Sequence, residues 1–192
     1  MAQEAQVTPK PSLTSVDGVI MGGLSGERVL VLPARFWNEV KAFLVKAYGS
    51  SVHEVLSRFA EEFGGTYASR MKASGMKPAQ VLEAMGQMAL TAGWGTVDFG
   101  GDMEGGKSLV IDVTDCAFCT VDEDVGTKTC DFLKGVAVGT AAAIYDKQFS
   151  CYHIEKEQGG VRVCRLTLSQ TQQPKKANWK TAVYFPWMSD TK

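Results

Sequence analysis

Apolar positions along the chain recur first at threes and fours, then at twos, then at threes and fours again, and each change of period marks an element boundary. Phe36, Val40, Phe43, Leu44 and Ala47 lie between Pro33 and Gly49, which predicts a helix over about 34–48. Val52, Val55, Leu56, Phe59, Ala60 and Phe63 continue the period from a cap at Ser50 or Ser51, so a second helix follows at once. Gly64 and Gly65 fall inside it and each costs helix propensity of roughly 1 kcal/mol, so close packing or a ligand drawn up to the backbone has to compensate. Pro78 opens a third helix through Val81, Leu82, Met85, Met88 and Ala89.

After Gly93-Trp94-Gly95 the period drops to two. TVDFG, the loop GDMEGG and SLVIDV at 108–113 read as an antiparallel hairpin. The turn-like DCAFCTVDEDVG follows, Thr127 caps a fourth helix to about Tyr145, and strands near 147–157 and 161–169 flank Gln158-Gly159-Gly160. This order predicts an α+β domain: an antiparallel sheet of about four to five strands covered on one side by a helical layer. A short strand is expected at Arg28–Leu32. Residues 1–25, polar and rich in Gly, Pro and Ser, read as a flexible N-terminal arm, and 26–170 as the domain. Residues 171–192 carry Trp179, Val183, Tyr184, Phe185 and Trp187 and read as an aromatic tail docked on the domain or on a partner subunit.

Charge excludes more than it suggests. Twenty basic against 21 acidic residues, with no dense basic run, argue against a nucleic-acid protein. No window reaches the roughly 18 apolar residues of a membrane span, and MAQEAQVTPKPSLTS lacks the basic-then-apolar order of a secretory signal, so a cytoplasmic chain is expected. Five cysteines in such a chain point to reduced thiols, a metal site or a reactive thiol before a disulfide framework.

Cys116-Ala-Phe-Cys119 has the gap of a zinc knuckle but offers half of four ligands, and Thr120 stands where a haem-attachment motif needs histidine. The acidic run Asp122-Glu123-Asp124 works against a redox-active pair there, so Cys116 and Cys119 remain a possible second thiol pair. Cys130, Cys151, His153 and Cys164 form the fuller set. Cys151 and His153 share a strand face, and a two-residue turn at Gln158-Gly159 sets Cys164 opposite His153, with Cys130 reaching in from the first turn of the fourth helix. Three thiolates and an imidazole suit a closed zinc site. The alternative reading keeps Cys130 and Cys164 as small core residues and His153 as a hydrogen-bonded sheet residue. His53, one position off its helix's apolar stripe, reads as solvated or capping. No nucleotide, phosphate-loop or serine-hydrolase motif is present.

The Cys130-x4-Gly135-x3-Gly139 helix, the later Gly159-Gly160 turn and Cys164 together resemble the late signature of the 4-vinyl reductase-like domain family. Phe63-Gly64-Gly65 and Gly93-Trp94-Gly95 are similar in order and position, so the resemblance spans about residues 28–169. The wider fold includes phenol-sensing activator domains and transport-particle subunits. Phenol-sensing members hold zinc with three cysteines and a glutamate; here the glutamate position falls on His153 and the middle cysteine on Lys156, and Cys151 would restore the count. The resemblance implies a homodimeric domain that encloses a small hydrophobic molecule between helices and sheet, with Phe59, Phe63, Tyr67, Met85, Met88, Trp94 and Phe118 as the wall. A stand-alone binder or carrier for a hydrophobic, aromatic or tetrapyrrole ligand is the first expectation. The alternative is a tetrapyrrole vinyl-reductase-type enzyme or accessory factor using its cysteines for chemistry, although no nicotinamide or flavin fingerprint is visible. A third reading is an interaction subunit.

Overall fold

The computed structural model describes residues 13–16, 19–22, 28–30, 32–121, 128–158 and 161–171. Two short strands, β1 (Leu13–Val16) and β2 (Val19–Gly22), pair antiparallel inside the segment expected as an arm. No strand forms at the predicted Arg28–Leu32 among its described residues. Pro33 is extended, at φ −58° and ψ 141°, and leads directly into α1 (Ala34–Tyr48). Gly49, at φ 74°, donates its backbone N–H to the Val45 carbonyl at 2.7 Å and ends the helix, as a residue with no Cβ can.

Ser50 occupies the cap position of α2 (Ser51–Ala73), but its side chain makes no capping bond; the Ser51 hydroxyl instead donates to the Tyr48 carbonyl at 3.1 Å. α3 (Pro78–Thr91) starts with Pro78 at its first position, and the Gln80 side chain accepts from the Lys77 N–H at 2.9 Å. The predicted hairpin is β3 (Thr96–Gly101) and β4 (Ser108–Thr114). A small ladder of β5 (Thr120–Val121) and β6 (Lys128–Thr129) then precedes α4 (Asp131–Tyr145). Cys130 is therefore the residue that caps α4, one place earlier than its first turn. The predicted Thr127 cap and the acidic run at 122–124 lie outside the described residues, as do the Gly159-Gly160 turn and the aromatic tail from 172. β7 (Phe149–Gln158) and β8 (Val161–Gln170) complete one four-stranded antiparallel sheet in the order β3-β4-β8-β7.

Strand alternation sorts this sheet into two faces. Leu109, Ile111 and Val113 of β4 stand beside Leu168, Leu166 and Cys164 of β8, and all six are buried. Cys151, His153 and Glu155 of β7 continue the same face opposite Leu168, Leu166 and Cys164. The other face mixes charged side chains with the exposed Tyr152 and Ile154. Asp112 accepts two hydrogen bonds from Arg165, at 2.7 and 2.5 Å, and one from Lys156 at 3.3 Å, and these cations hold its carboxyl below the ordinary carboxylate range.

Over the buried face, α2 and α4 cross with almost no space between their backbones. A Cβ at Gly139 would come within 2.7 Å of the Glu61 carbonyl carbon, and one at Gly135 within 2.7 Å of the Ala60 Cβ. Gly64 answers from α2, where a Cβ would sit 2.9 Å from the Val136 Cα. Of the two explanations for the mid-helix glycines, the close packing contact is the one realised.

Candidate functional site

At one end of the sheet three separate segments bring sulfurs together. Gly95 has φ 132°, and a Cβ there would lie 2.6 Å from the Thr114 carbonyl oxygen, so glycine lets the start of β3 close on the end of β4. Beyond β4 the chain turns through Asp115 at φ 53°, the Ala117 N–H donates to the Trp94 carbonyl at 3.0 Å, and the Cys119 N–H donates to the Cys116 carbonyl at 3.3 Å. This tight turn aims both sulfurs of the Cys-x-x-Cys at the cap of α4. Cys116 Sγ and Cys119 Sγ each lie 3.6 Å from Cys130 Sγ. With Cys164 of β8, the four sulfurs all fall within 4.8 Å of one another. Cys130 and Cys164 are each 1 % exposed, and a cleft of about 290 Å³ lined by Asp115, Cys116, Cys119 and Cys164 opens beside them.

The pairing between β7 and β8 corrects the expected register. It runs to Gln158↔Val161, so Cys164 stands opposite Glu155 and His153 opposite Leu166. A displacement of two residues keeps side chains on the same face, where a displacement of one would have reversed them. His153 therefore still reaches the cluster diagonally, with Nε2 3.5 Å from Cys164 Sγ. His153, Glu155 and Cys164 form a second close group. Of the four residues read together in the sequence, Cys130 and Cys164 meet, His153 flanks them, and Cys151 belongs to neither group; Cys116 and Cys119 complete the thiol cluster.

Four thiols this close cannot ionise independently. Hydrogen bonds from Cys116, Cys119 and Cys130, reinforced by His153, hold the Cys164 thiol far below its ordinary range. The bond with Cys116 leads the opposite shift at Cys130 and at Cys119, both pushed far up. The shifts favour negative charge on Cys164 and protons on Cys119 and Cys130, the electrostatic situation a divalent cation relieves. Cys151, away from this group, is pushed up to about 11 by burial.

Next to Cys130 lies a buried charge cluster that sequence reading missed. Asp131 Oδ2 is 2.7 Å from His53 Nδ1 and 3.9 Å from Lys41 Nζ, joining α1, α2 and α4. Lys41 and Asp131 are 5 % and 7 % exposed. His53 is thus a partner of a buried carboxylate instead of a solvated or capping residue.

The seven residues expected to form a pocket wall do not come together as one wall. Met85 and Trp94 line an apolar cavity of about 50 Å³ enclosed by α3, α4 and the sheet, with Leu82, Phe99, Leu133 and Thr140 among the other walls. Phe63, Tyr67 and Phe118, with Trp94 at their junction, join an aromatic cluster centred on Phe132, whose ring stacks on Phe118 at 4.6 Å and meets Trp37 at 5.1 Å. Phe59 touches this cluster but is 57 % exposed, and Met88 packs against the core. Trp37, Phe132 and Thr140 carry no signal in the sequence beyond helical spacing.

A four-stranded antiparallel sheet with helices over one face, a thiol cluster at its end and an apolar cavity under the helices defines an α+β domain of one recognisable fold. That fold is shared by the phenol-responsive sensory domain of the transcription activator PoxR in its structure with phenol, with 18 % identity, 92 % of each chain covered and a TM-score of 0.64. A vinyl-4-reductase family protein from Methanocaldococcus jannaschii is similar at 17 % identity, over 75 % of this chain and 85 % of that one, with a TM-score of 0.52. A trafficking protein particle complex subunit 3 from Naegleria fowleri, covalently bound to palmitic acid, is similar at 12 % identity, over 74 % of this chain and 95 % of that one, also at 0.52. No protein-family model matches the sequence, and comparison with curated proteins finds no match. Among the described residues no helix is long and apolar enough to cross a membrane.

Proposed function

We propose that this chain is a binding domain for a small hydrophobic or aromatic molecule, seated between α3, α4 and the sheet, with a zinc ion at the thiol cluster. The observation that carries the reading is the apolar cavity of about 50 Å³ under the helices. Two structures that share the fold are described with small hydrophobic molecules, phenol in one and palmitic acid in the other, which supports the class of ligand without choosing its member. The cavity measures about 50 Å³, whereas an apolar cavity that admits benzene measures about 150 Å³, so a tetrapyrrole is disfavoured and even a single ring enters only where the walls yield. Met85, with three rotatable bonds, is the wall best able to yield to a ring.

The donor set fits zinc. Four thiolates about 2.3 Å from one ion stand about 3.8 Å apart at tetrahedral corners, close to the 3.6 Å separations at Cys130. Cys116, Cys119, Cys130 and Cys164 would hold the ion, and His153 would donate to the Cys164 sulfur from outside. When bound, zinc supplies neutralisation of the thiolates and a tie between segments; all four positions are filled by protein, so its part is structural. The expected homodimer belongs to the same proposal, and the exposed Phe36 and Phe43 of α1 with Val55 and Phe59 of α2 give it an apolar face.

Native mass spectrometry of protein purified without chelator tests the reading. One zinc per chain and a shift on adding phenol or toluene are expected; a metal-free chain that takes up neither ring would overturn it.

A further inference from the structure

The thiol cluster and two donors of β7 meet at one atom. Cys164 Sγ belongs to the four-sulfur group and also to a second group with His153 and Glu155, and within each group the donor atoms lie within 4.8 Å of one another. β7 is the last strand of the sheet, and alternation puts His153 and Glu155, two residues apart, on its helix-covered face. Glu155 pairs directly with Cys164, and His153 reaches the same sulfur from the next inward position, with Nε2 3.5 Å from Sγ. An imidazole nitrogen about 2.05 Å and a thiolate about 2.3 Å from one tetrahedral ion stand about 3.6 Å apart. The observed separation is thus one that a shared ion would hold.

We propose that His153, Glu155 and Cys164 form a second metal site, for a divalent ion of the zinc or cobalt kind, joined to the four-thiol site through the Cys164 sulfur. The inference rests on the four-thiol site proposed above and extends it. Charge favours a second ion: one divalent ion answers only half of the charge of four thiolates, and Cys130 and Cys164 are each 1 % exposed, where uncompensated charge is costly. A second ion, against the one added charge of the Glu155 carboxylate, halves the excess. A thiolate sulfur keeps lone pairs after binding one ion, so Cys164 can serve both. Imidazole and thiolate together select an ion of borderline softness over magnesium or calcium. A cleft of about 290 Å³ that Cys164 and Asp115 help to line gives an ion and water a way to the sulfur.

The two sites differ in kind. The first is filled by four protein ligands, whereas the second has three and an open position, the arrangement of an ion that receives water or a small ligand. With fewer ligands and a like charge beside it, the second ion binds more weakly and enters only when metal is added. A His153 nitrogen that ligates no longer donates to the sulfur, so occupancy of the second site decides which of its two roles the imidazole has.

Cobalt is the probe, because its absorption reports its ligands. The full chain, purified without chelator and carrying one zinc, is titrated with cobalt chloride and followed by native mass spectrometry and absorption. One cobalt per chain is expected beside the retained zinc, with a near-ultraviolet thiolate-to-cobalt band. His153→Ala and Glu155→Gln should each bind this cobalt at least about 10- to 100-fold more weakly, the loss that even an outer partner of a ligand causes. Zinc retained by both variants shows that the fold and the four-thiol site are intact. A zinc-loaded chain that takes up no cobalt, exchanges its zinc for it, binds it without the thiolate band, or binds it equally in both variants overturns the second site alone. A chain that holds no zinc and binds either no cobalt or a single cobalt lost in His153→Ala overturns the shared sulfur and the four-thiol site together.

Discussion

Cys116 Sγ stands 3.6 Å from Cys130 Sγ, 14 positions further along the chain, and the stretch between them contains both the turn that aims the first sulfur and the approach to the helix that carries the second. The loop after β4 and the cap of α4 are therefore one unit, and Cys164 fastens that unit to the sheet.

Cysteine replacements should separate cluster members from bystanders. Cys119→Ser and Cys130→Ser are each expected to lose stoichiometric zinc and to melt at a lower temperature that chelator no longer changes, because metal binding energy is folding energy. Cys151→Ser should keep one zinc per chain. Elemental analysis of the three purified proteins decides the matter, and loss of metal from Cys151→Ser alone would move the site to β7.

The raised Cys151 thiol carries an alkaline signature. Its folded value is about 11 against an ordinary 9.0, so the folded chain holds this proton longer than the unfolded one. The contribution to stability is complete below about pH 9 and is lost as pH rises through about 11, at most about 2–3 kcal/mol. Urea midpoints between pH 8 and 11 should fall for the wild type and fall less for Cys151→Ala.

At the crossing of α2 and α4, Gly139→Ala asks for a methyl group where Glu61 backbone already stands. Over-packing of this kind costs about 1–3 kcal/mol, and more when the obstacle is backbone. A fall in melting temperature of roughly 2–12 °C is expected. Gly49→Ala has open space around it but a backbone at φ 74° and ψ −165°, a region reached almost only by glycine, and should cost about 1–3 kcal/mol through strain alone.

Removal of Asp131 should be costlier than removal of any surface acid. Asp131→Ala removes the buried carboxylate that Lys41 and His53 both face and is expected to destabilise by about 3–5 kcal/mol. Pairing it with Lys41→Met should recover a good part of the loss, since an apolar pair of similar volume avoids burying charge. Chemical denaturation of the single and double variants measures the recovery, and a double variant as unstable as Asp131→Ala would reject it.

The four helices and the four main strands were legible because each repeats its period several times and ends on Pro33, Gly49, Pro78 or a glycine turn. Which face each strand buries was equally legible, since parity survives a register displaced by two residues. The composition of the thiol cluster was not. Whether Cys116 and Cys119 meet Cys130 and Cys164 depends on how far a loop folds back over the end of a sheet, and a local pattern holds no record of that distance. Cys151 illustrates the same limit from the other side, on the correct face but paired with Leu168, four residues along from Cys164. Lys41, Asp131 and Thr140 were missed because polar residues inside helical stripes look like ordinary surface positions until the partner helix is in place.

The thiol cluster also has a direction in time. Its members leave the site of synthesis in the order Cys116, Cys119, Cys130 and, a helix and a strand later, Cys164. A nascent chain presents three of these thiols before the fourth exists, so the proposed four-sulfur zinc site is complete only once Cys164 has been made. β8 lies between β4 and β7, so the strand that completes the sheet is also the one that carries the last sulfur.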